Sequence, residues 1–168
     1  MARAVILMGV SGCGKTSVGE GLSEALGWPF YDGDDFHPQA NIDKMAQGIP
    51  LNDEDRQPWL VKLHQLIAEH LDTDRSLIVA SSALKAKYRQ TLRGDRKEIV
   101  FVHLKGNFNL IYARMKERSG HYMKAEMLRS QFRDLEEPED SIIISIEKSV
   151  RQIMEEIMVY LDEQGEKH

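Results

Sequence analysis

Eight residues near the amino end constrain this chain more than any other stretch: Gly9-Val10-Ser11-Gly12-Cys13-Gly14-Lys15-Thr16. They satisfy the phosphate-loop pattern Gly-x-x-x-x-Gly-Lys-Ser/Thr, follow an apolar run (Ala4 to Met8) and precede a segment of helical spacing. Phosphate oxygens need several donors close together, and glycines let backbone N–H groups converge without side-chain clashes. The helix that follows adds the positive end of its dipole to the same anion site. Such a loop joins a buried strand to a helix, which is the opening of a parallel α/β sheet. Gly9 to Thr16, with Ser17 beside them, are expected to hold the phosphates of ATP. Lys15 is placed on the β- and γ-phosphates, and the Thr16 hydroxyl on Mg²⁺. Cys13 stands at a variable position of the loop, where a small side chain that fits is the expected role.

The rest of the chain continues the alternation. Strand-like runs rich in β-branched residues fall at 4–8, 28–31, 77–80, 99–104 and 142–146. Helix-period segments lie between them at 15–26, 38–47, 54–71, 85–93, 108–119, 124–134 and 148–163. Right-handed crossovers then give a parallel five-stranded sheet with helices on both faces. A length of 168 residues suits one domain over 1–168, with Glu163 to His168 as a frayed polar tail. Cys13 is the only cysteine, so no internal disulfide forms, and the expected compartment is the reducing cytoplasm. The apolar run before the phosphate loop is strand-sized, so neither a spanning helix nor a signal peptide is expected. A formal net charge of −5 argues against nucleic acid or an anionic membrane as the partner.

The chemistry also needs a carboxylate. The Asn-Lys-x-Asp signature of guanine readers does not occur. The strand at 77–80 ends in Ser81-Ser82, where many phosphate-loop ATPases carry an aspartate. The acids are instead grouped after the second strand, in Tyr31-Asp32-Gly33-Asp34-Asp35-Phe36-His37. The carboxyl end of a neighbouring strand lies beside the phosphate loop, so Asp34 is the expected base for an acceptor hydroxyl. Asp34 is also expected to order a Mg²⁺-bound water. Asp35, just before His37-Pro38, reads as a helix cap, and Asp32 fits either role.

Several further blocks carry a resemblance. They are Tyr31-Asp-Gly-Asp-Asp-Phe-His-Pro38; Lys44-Met-x-x-Gly-Ile-Pro-Leu-Asn-Asp-x-Asp-Arg56-x-Pro-Trp-Leu60; Ser82-Ala-Leu-Lys85-x-x-Tyr-Arg89; Arg118-x-x-His-Tyr-Met123; and Leu128-x-Ser-Gln-Phe132. In this order, and over most of the chain, they resemble the bacterial-type gluconokinases, in the group that also holds shikimate kinase and the nucleoside monophosphate kinases. Three positions depart mildly from that pattern: Cys13, Ser81 and Tyr122, none of them charged. The resemblance implies a three-layer P-loop kinase fold with a small lid at about 115–135, and a homodimer. It implies ATP-dependent, Mg²⁺-assisted phosphorylation of D-gluconate to 6-phospho-D-gluconate. A shikimate-like acid or a nucleoside monophosphate is the alternative acceptor.

Gluconate is a carboxylate with five hydroxyls, so its pocket calls for cationic forks among polar groups. Arg56 binds a carboxylate bidentately, which a lysine does not. Pro58 in the first turn, with Asn52 or Asp53 as cap, suits a helix that starts there. The resemblance implies that His37, Asp53, Lys85 and Arg89 complete the acceptor pocket. Lys85 and Arg89, spaced i and i+4, also fit a solvated helix face, and His37 also fits a cap. In the lid, Arg118 is the expected cation for the γ-phosphate with Arg114 behind it, and His121 and Gln131 are expected to touch substrate. The adenine pocket is marked only by the loop around Glu147 and Lys148. Trp28, Phe30, Trp59 and Phe101 are assigned to packing.

Overall fold

The computed structural model describes residues 1–117, 125–139 and 141–166. Five parallel strands, β1 (Ala4–Met8), β2 (Phe30–Asp32), β3 (Leu77–Ala80), β4 (Ile99–Lys105) and β5 (Ile142–Ser145), form one sheet. The helices are α1 (Lys15–Leu26), α2 (Gln39–Ala46), α3 (Asp53–Asp72), α4 (Ala86–Arg93), α5 (Phe108–Glu117), α6 (Ala125–Asp134) and α7 (Val150–Glu166). A short 3-10 turn, Gly33–Phe36, follows β2. Among the described residues no helix is long and apolar enough to cross a membrane.

β1 is wholly buried, as its unbroken apolar run requires of a central strand. Its side chains alternate between two cores. Val5 and Leu7 meet Val18, Leu22, Ile111 and Ile153 from α1, α5 and α7. Ile6 and Met8 face the other way, with Trp59, Leu60, Leu63 and Leu92 from α3 and α4. The fold is therefore a three-layer α/β sandwich, the class expected from the alternation. The expected polar tail is in part helix, since α7 continues through Glu166.

The strand order, β2-β3-β1-β4-β5, corrects one expectation. β2 does not neighbour the phosphate-loop strand, because β3 lies between them. The acids of β2 reach the site by another route. β2 ends level with β3, with Asp32 opposite Ala80, and the 3-10 turn then bends across the end of β3. Gly33 makes the crossing: a Cβ there would stand 2.5 Å from the Ala80 carbonyl oxygen and 3.4 Å from Ser81 Cβ. The indole Nε1 of Trp59 donates to the Gly33 carbonyl at 2.7 Å and ties the turn to α3. The Asp32 carboxylate accepts from the Asp34 N–H at 3.0 Å, so Asp32 caps the turn.

α3 begins in a capping box. The Asn52 side chain accepts from the Asp55 N–H at 2.7 Å, and the Asp55 carboxylate accepts from the Asn52 N–H at 3.0 Å. Asn52 is the cap and Asp53 the first helical residue, while Pro58 falls in the second turn rather than the first.

Gly33→Ala forces a methyl group against a backbone carbonyl that has nowhere to retreat. Equilibrium urea unfolding should show a loss of about 1–3 kcal/mol. A variant as stable as the parent would mean that the turn is not seated on β3.

Candidate active site

The phosphate loop is held from beneath. A Cβ on Gly9 would stand 2.8 Å from both the Leu104 carbonyl oxygen and Cys13 Sγ, so only glycine fits there. Gly14, at φ 97°, caps α1 in the left-handed region that favours glycine. Cys13 is 2% exposed and packs into the core under the loop, as a small residue at that position should. Above it the Lys15 ammonium folds back over the loop, donating to the carbonyls of Gly9 (2.8 Å) and Val10 (3.0 Å). Gln131 of α6 clasps the loop at Ser11. Its Oε1 accepts from the Ser11 N–H at 2.7 Å, and its Nε2 donates to Ser11 Oγ at 3.0 Å. Thr16 and Ser17 are exposed in the first turn of α1.

Across the end of β3 stands Asp34. Its carboxylate is 69% exposed, yet it sits in the mouth of a concave site. Crowding by protein raises its pKa above the usual 3.8, with Asp32 and Asp35 adding to the rise and the Lys15 ammonium opposing it. His37 lies flat on Trp59, ring centroids 4.3 Å apart and planes 16° apart. Its Nε2 is 3.8 Å from Asp34 Oδ1. Burial, helped by the Arg56 charge, lowers its pKa to about 4, so the imidazole is neutral near neutral pH.

Arg56 projects from α3 into the same space. One guanidinium nitrogen donates to the Tyr88 hydroxyl at 2.7 Å and lies 3.5 Å from the Asp134 carboxylate. The guanidinium carbon is 5.2 Å from the Tyr88 ring centre. The Tyr88 hydroxyl donates in turn to Asp53, which also accepts from Lys85 and Lys87. These donors, Lys87 first and Tyr88 next, hold the Asp53 carboxyl well below the usual carboxylate range. Burial, and then the bond to Asp53, pushes the Tyr88 phenol up to about 12, so it stays a donor.

Lys15, Ser11, Asp34, His37, Arg56 and Gln131 together line a cavity of about 100 Å³. Asp53 stands behind it, linked to Arg56 through the Tyr88 hydroxyl, and Lys85 donates to Asp53. Arg89 is buried and donates to the carbonyls of Ala83, Leu84 and Glu136, which ties the β3–α4 loop to the segment after α6. The solvated-face reading therefore fails for Arg89. Arg114 donates to the Ile146 carbonyl at 2.9 Å and anchors the loop that follows β5. Glu147 and Lys148 of that loop border a cavity of about 770 Å³ together with Lys105, Asn107 and Leu110. Arg118 and His121 lie outside the described residues.

Sequence reasoning missed Tyr88, which bridges Arg56 and Asp53, and Asn41, a buried residue whose amide lies against the Asp55 carbonyl and the His37 ring. Tyr88 was visible in the Lys85-x-x-Tyr88-Arg89 block but carried no charge to draw notice. Asn41 had no signal at all, since its role depends on two partners that only the folded chain brings together.

A family model described as "Shikimate kinase" matches residues 11–162. The gluconokinase of Gluconobacter oxydans (strain 621H) is 43% identical over 159 residues, covering 93% of this chain and 89% of that protein. A "Probable gluconokinase" of Rattus norvegicus is 42% identical, covering 89% of this chain and 92% of that one. Among solved structures, a gluconokinase from Sinorhizobium meliloti 1021 superposes with a TM-score of 0.89 at 37% identity, covering 98% of this chain and 94% of that one.

A histidine that stays neutral when folded carries a linkage cost in acid. The unfolded chain binds a proton at His37 below its ordinary pKa of 6.5, and the folded chain only near 4. Stability from this group is therefore complete above 6.5 and drains as pH falls toward 4. His103, also lowered by burial, pulls the same way. Urea midpoints measured from about pH 7 to about pH 4.5 should fall, and fall less in His37→Gln, which cannot titrate. Equal falls in both proteins would place the titration elsewhere.

Proposed function

The chain belongs to the gluconokinase family of shikimate kinase-like P-loop enzymes, and on that footing we propose that it transfers the γ-phosphate of ATP to the 6-hydroxyl of D-gluconate. The observation that carries this reading is the cavity in which the Lys15 ammonium, the Asp34 carboxylate and the Arg56 guanidinium meet. Gluconate has its carboxylate at one end of a six-carbon chain and its primary hydroxyl at the other. A kinase for it needs a cation at a distance from the phosphate loop and a carboxylate close to that loop. Arg56 and Asp34 answer to those needs.

The roles follow from charge. The loop amides and Lys15, once it turns from the Gly9 and Val10 carbonyls, cradle the triphosphate. Arg56 receives the gluconate carboxylate and fixes which end of the acid faces the nucleotide. Asp34 takes the proton of the 6-hydroxyl as that oxygen bonds to the γ-phosphorus. The bond from the γ-phosphorus to the bridging oxygen breaks, and ADP leaves with its electron pair. The raised pKa of Asp34 suits a group that must accept a proton and later shed it.

Mg²⁺ would be held by the exposed Thr16 hydroxyl and, through water, by Asp34. These are hard oxygen donors of the kind magnesium prefers beside phosphate, and the ion would neutralise charge on the β- and γ-phosphates. Gly9 to Ser17, with Arg114, form the nucleotide side in this reading. His37 and Gln131 border the acceptor, with Asp53, Lys85 and Arg89 supporting it from behind. The segment from about 115 to 135 acts as a lid that brings Arg118 to the γ-phosphate and His121 to the substrate. A single buried cysteine suits a cytoplasmic protein, and the homodimer in this reading rests on the family resemblance alone.

The direct test is coupled ATP turnover by the purified chain with gluconate, shikimate, nucleoside monophosphates and neutral sugars. Turnover is expected with gluconate, and strong turnover with another acceptor instead would overturn the assignment. Asp34→Asn should lower kcat by about 10²–10⁴-fold, the range for loss of a positioned base. Arg56→Ala should raise KM for gluconate much more than KM for ATP, and equal effects on both would remove Arg56 from the acceptor side.

A further inference from the structure

We propose that Asn41 is a positioning residue for the acceptor site: its amide locks the His37 imidazole into the tautomer with hydrogen on Nε2, making His37 a neutral donor toward Asp34 and the acceptor hydroxyl. The assignment of His37 to the acceptor side rests on the functional reading above, whereas the tautomer rests on hydrogen bonds alone.

Asn41 lies on α2 and is 2% exposed. Its Nδ2 is 2.8 Å from the Asp55 carbonyl oxygen and 3.1 Å from His37 Nδ1. A backbone carbonyl only accepts, so the first contact fixes which side of the amide is nitrogen. The second hydrogen of that nitrogen then points at His37 Nδ1, which has to accept it. A neutral imidazole that accepts at Nδ1 carries its hydrogen on Nε2. Turning the ring by 180° about Cβ–Cγ would keep it on the Trp59 indole but set Cδ2 against the Asn41 amide and lose that hydrogen bond. Nε2 faces Asp34 Oδ1 at 3.8 Å, on the side of the cavity.

The charged groups around the ring agree with this. Asp32 and Asp34 face it from the end of β2 and the turn, and Arg56 faces it from α3. An imidazolium would set an Nδ1–H against the Asn41 N–H, donor against donor. Asp34 is thereby left as the base, with Nε2 3.8 Å across the cavity wall from it and its hydrogen turned to the space the attacking oxygen would fill. The Asp55 carbonyl belongs to the first turn of α3, one residue before Arg56. The same amide thus couples the base side of the cavity to the residue assigned to the gluconate carboxylate.

Long-range ¹H–¹⁵N correlation spectra of the full chain read the tautomer directly, and the parent protein alone suffices. The expected result at about pH 7 is a protonated Nε2 and a bare Nδ1. A bare Nε2, or an imidazolium, would overturn the proposal. Kinetics supply the functional arm. Asn41→Ala should lower kcat/KM for gluconate about tenfold, as for a lost hydrogen bond at a reacting group, and leave KM for ATP nearly unchanged. In a His37→Gln background the same substitution should cost nothing more, because no tautomer remains to be set. A full tenfold loss in that background would show that Asn41 only braces α2 against α3, and would sink the positioning role. Absence of gluconate turnover in the parent would end the functional reading, and the spectrum would still decide the tautomer.

Discussion

A contact between two backbones governs this molecule: the turn after β2 rests directly on the carboxyl end of β3, with Gly33 against the Ala80 carbonyl. Any side chain at position 33 would lift the turn away. Because it is low, Asp34 passes over an intervening strand and arrives on the Lys15 side of the cavity, close enough for the ammonium to favour its carboxylate. The usual solution, an acid on the strand next to the phosphate loop, is replaced by Ser81 and Ser82, small residues over which a turn can lie. Trp59 secures the arrangement from α3, by its bond to the Gly33 carbonyl and by the stack on His37.

The proposed acceptor side is built as a relay of polar contacts behind Arg56. Arg56 is oriented by Tyr88, Tyr88 by Asp53, and Asp53 by two lysines. Each member satisfies the next, so a guanidinium that is only 11% exposed is held in one pose, with the Asp134 carboxylate 3.5 Å from one of its nitrogens. Arg89, one residue beyond Tyr88 in the chain, does a different task. It gathers three carbonyls from two separate loops, and this fixes the start of α4 on which Tyr88 rides.

Much of this was legible in the sequence because it depends on local chemistry. The phosphate loop, the five strands and the helix starts follow from spacing, glycine placement and caps. Asp34 is legible as well, but its route to the site is not: nothing in a linear pattern states which strands sit side by side, and β3 separates β2 from β1. The cap at Asp32 and the buried position of Arg89 were ambiguous for the same cause, since an i, i+4 pair looks alike whether one member points inward or both point out. Asn41 shows the limit most clearly. Its partners are four and fourteen positions along the chain, and only the packing of α2 against α3 brings them to one amide.

The phosphate loop has one more consequence. The Lys15 ammonium is lodged on two carbonyls of its own loop, and the Ser11 amide is taken by Gln131. Arrival of a polyphosphate is therefore a substitution, in which old bonds are surrendered as new ones form. The net affinity is smaller than the gross attraction between a triphosphate and its cradle. The donors that grip a phosphate are thus the ones that hold the loop together.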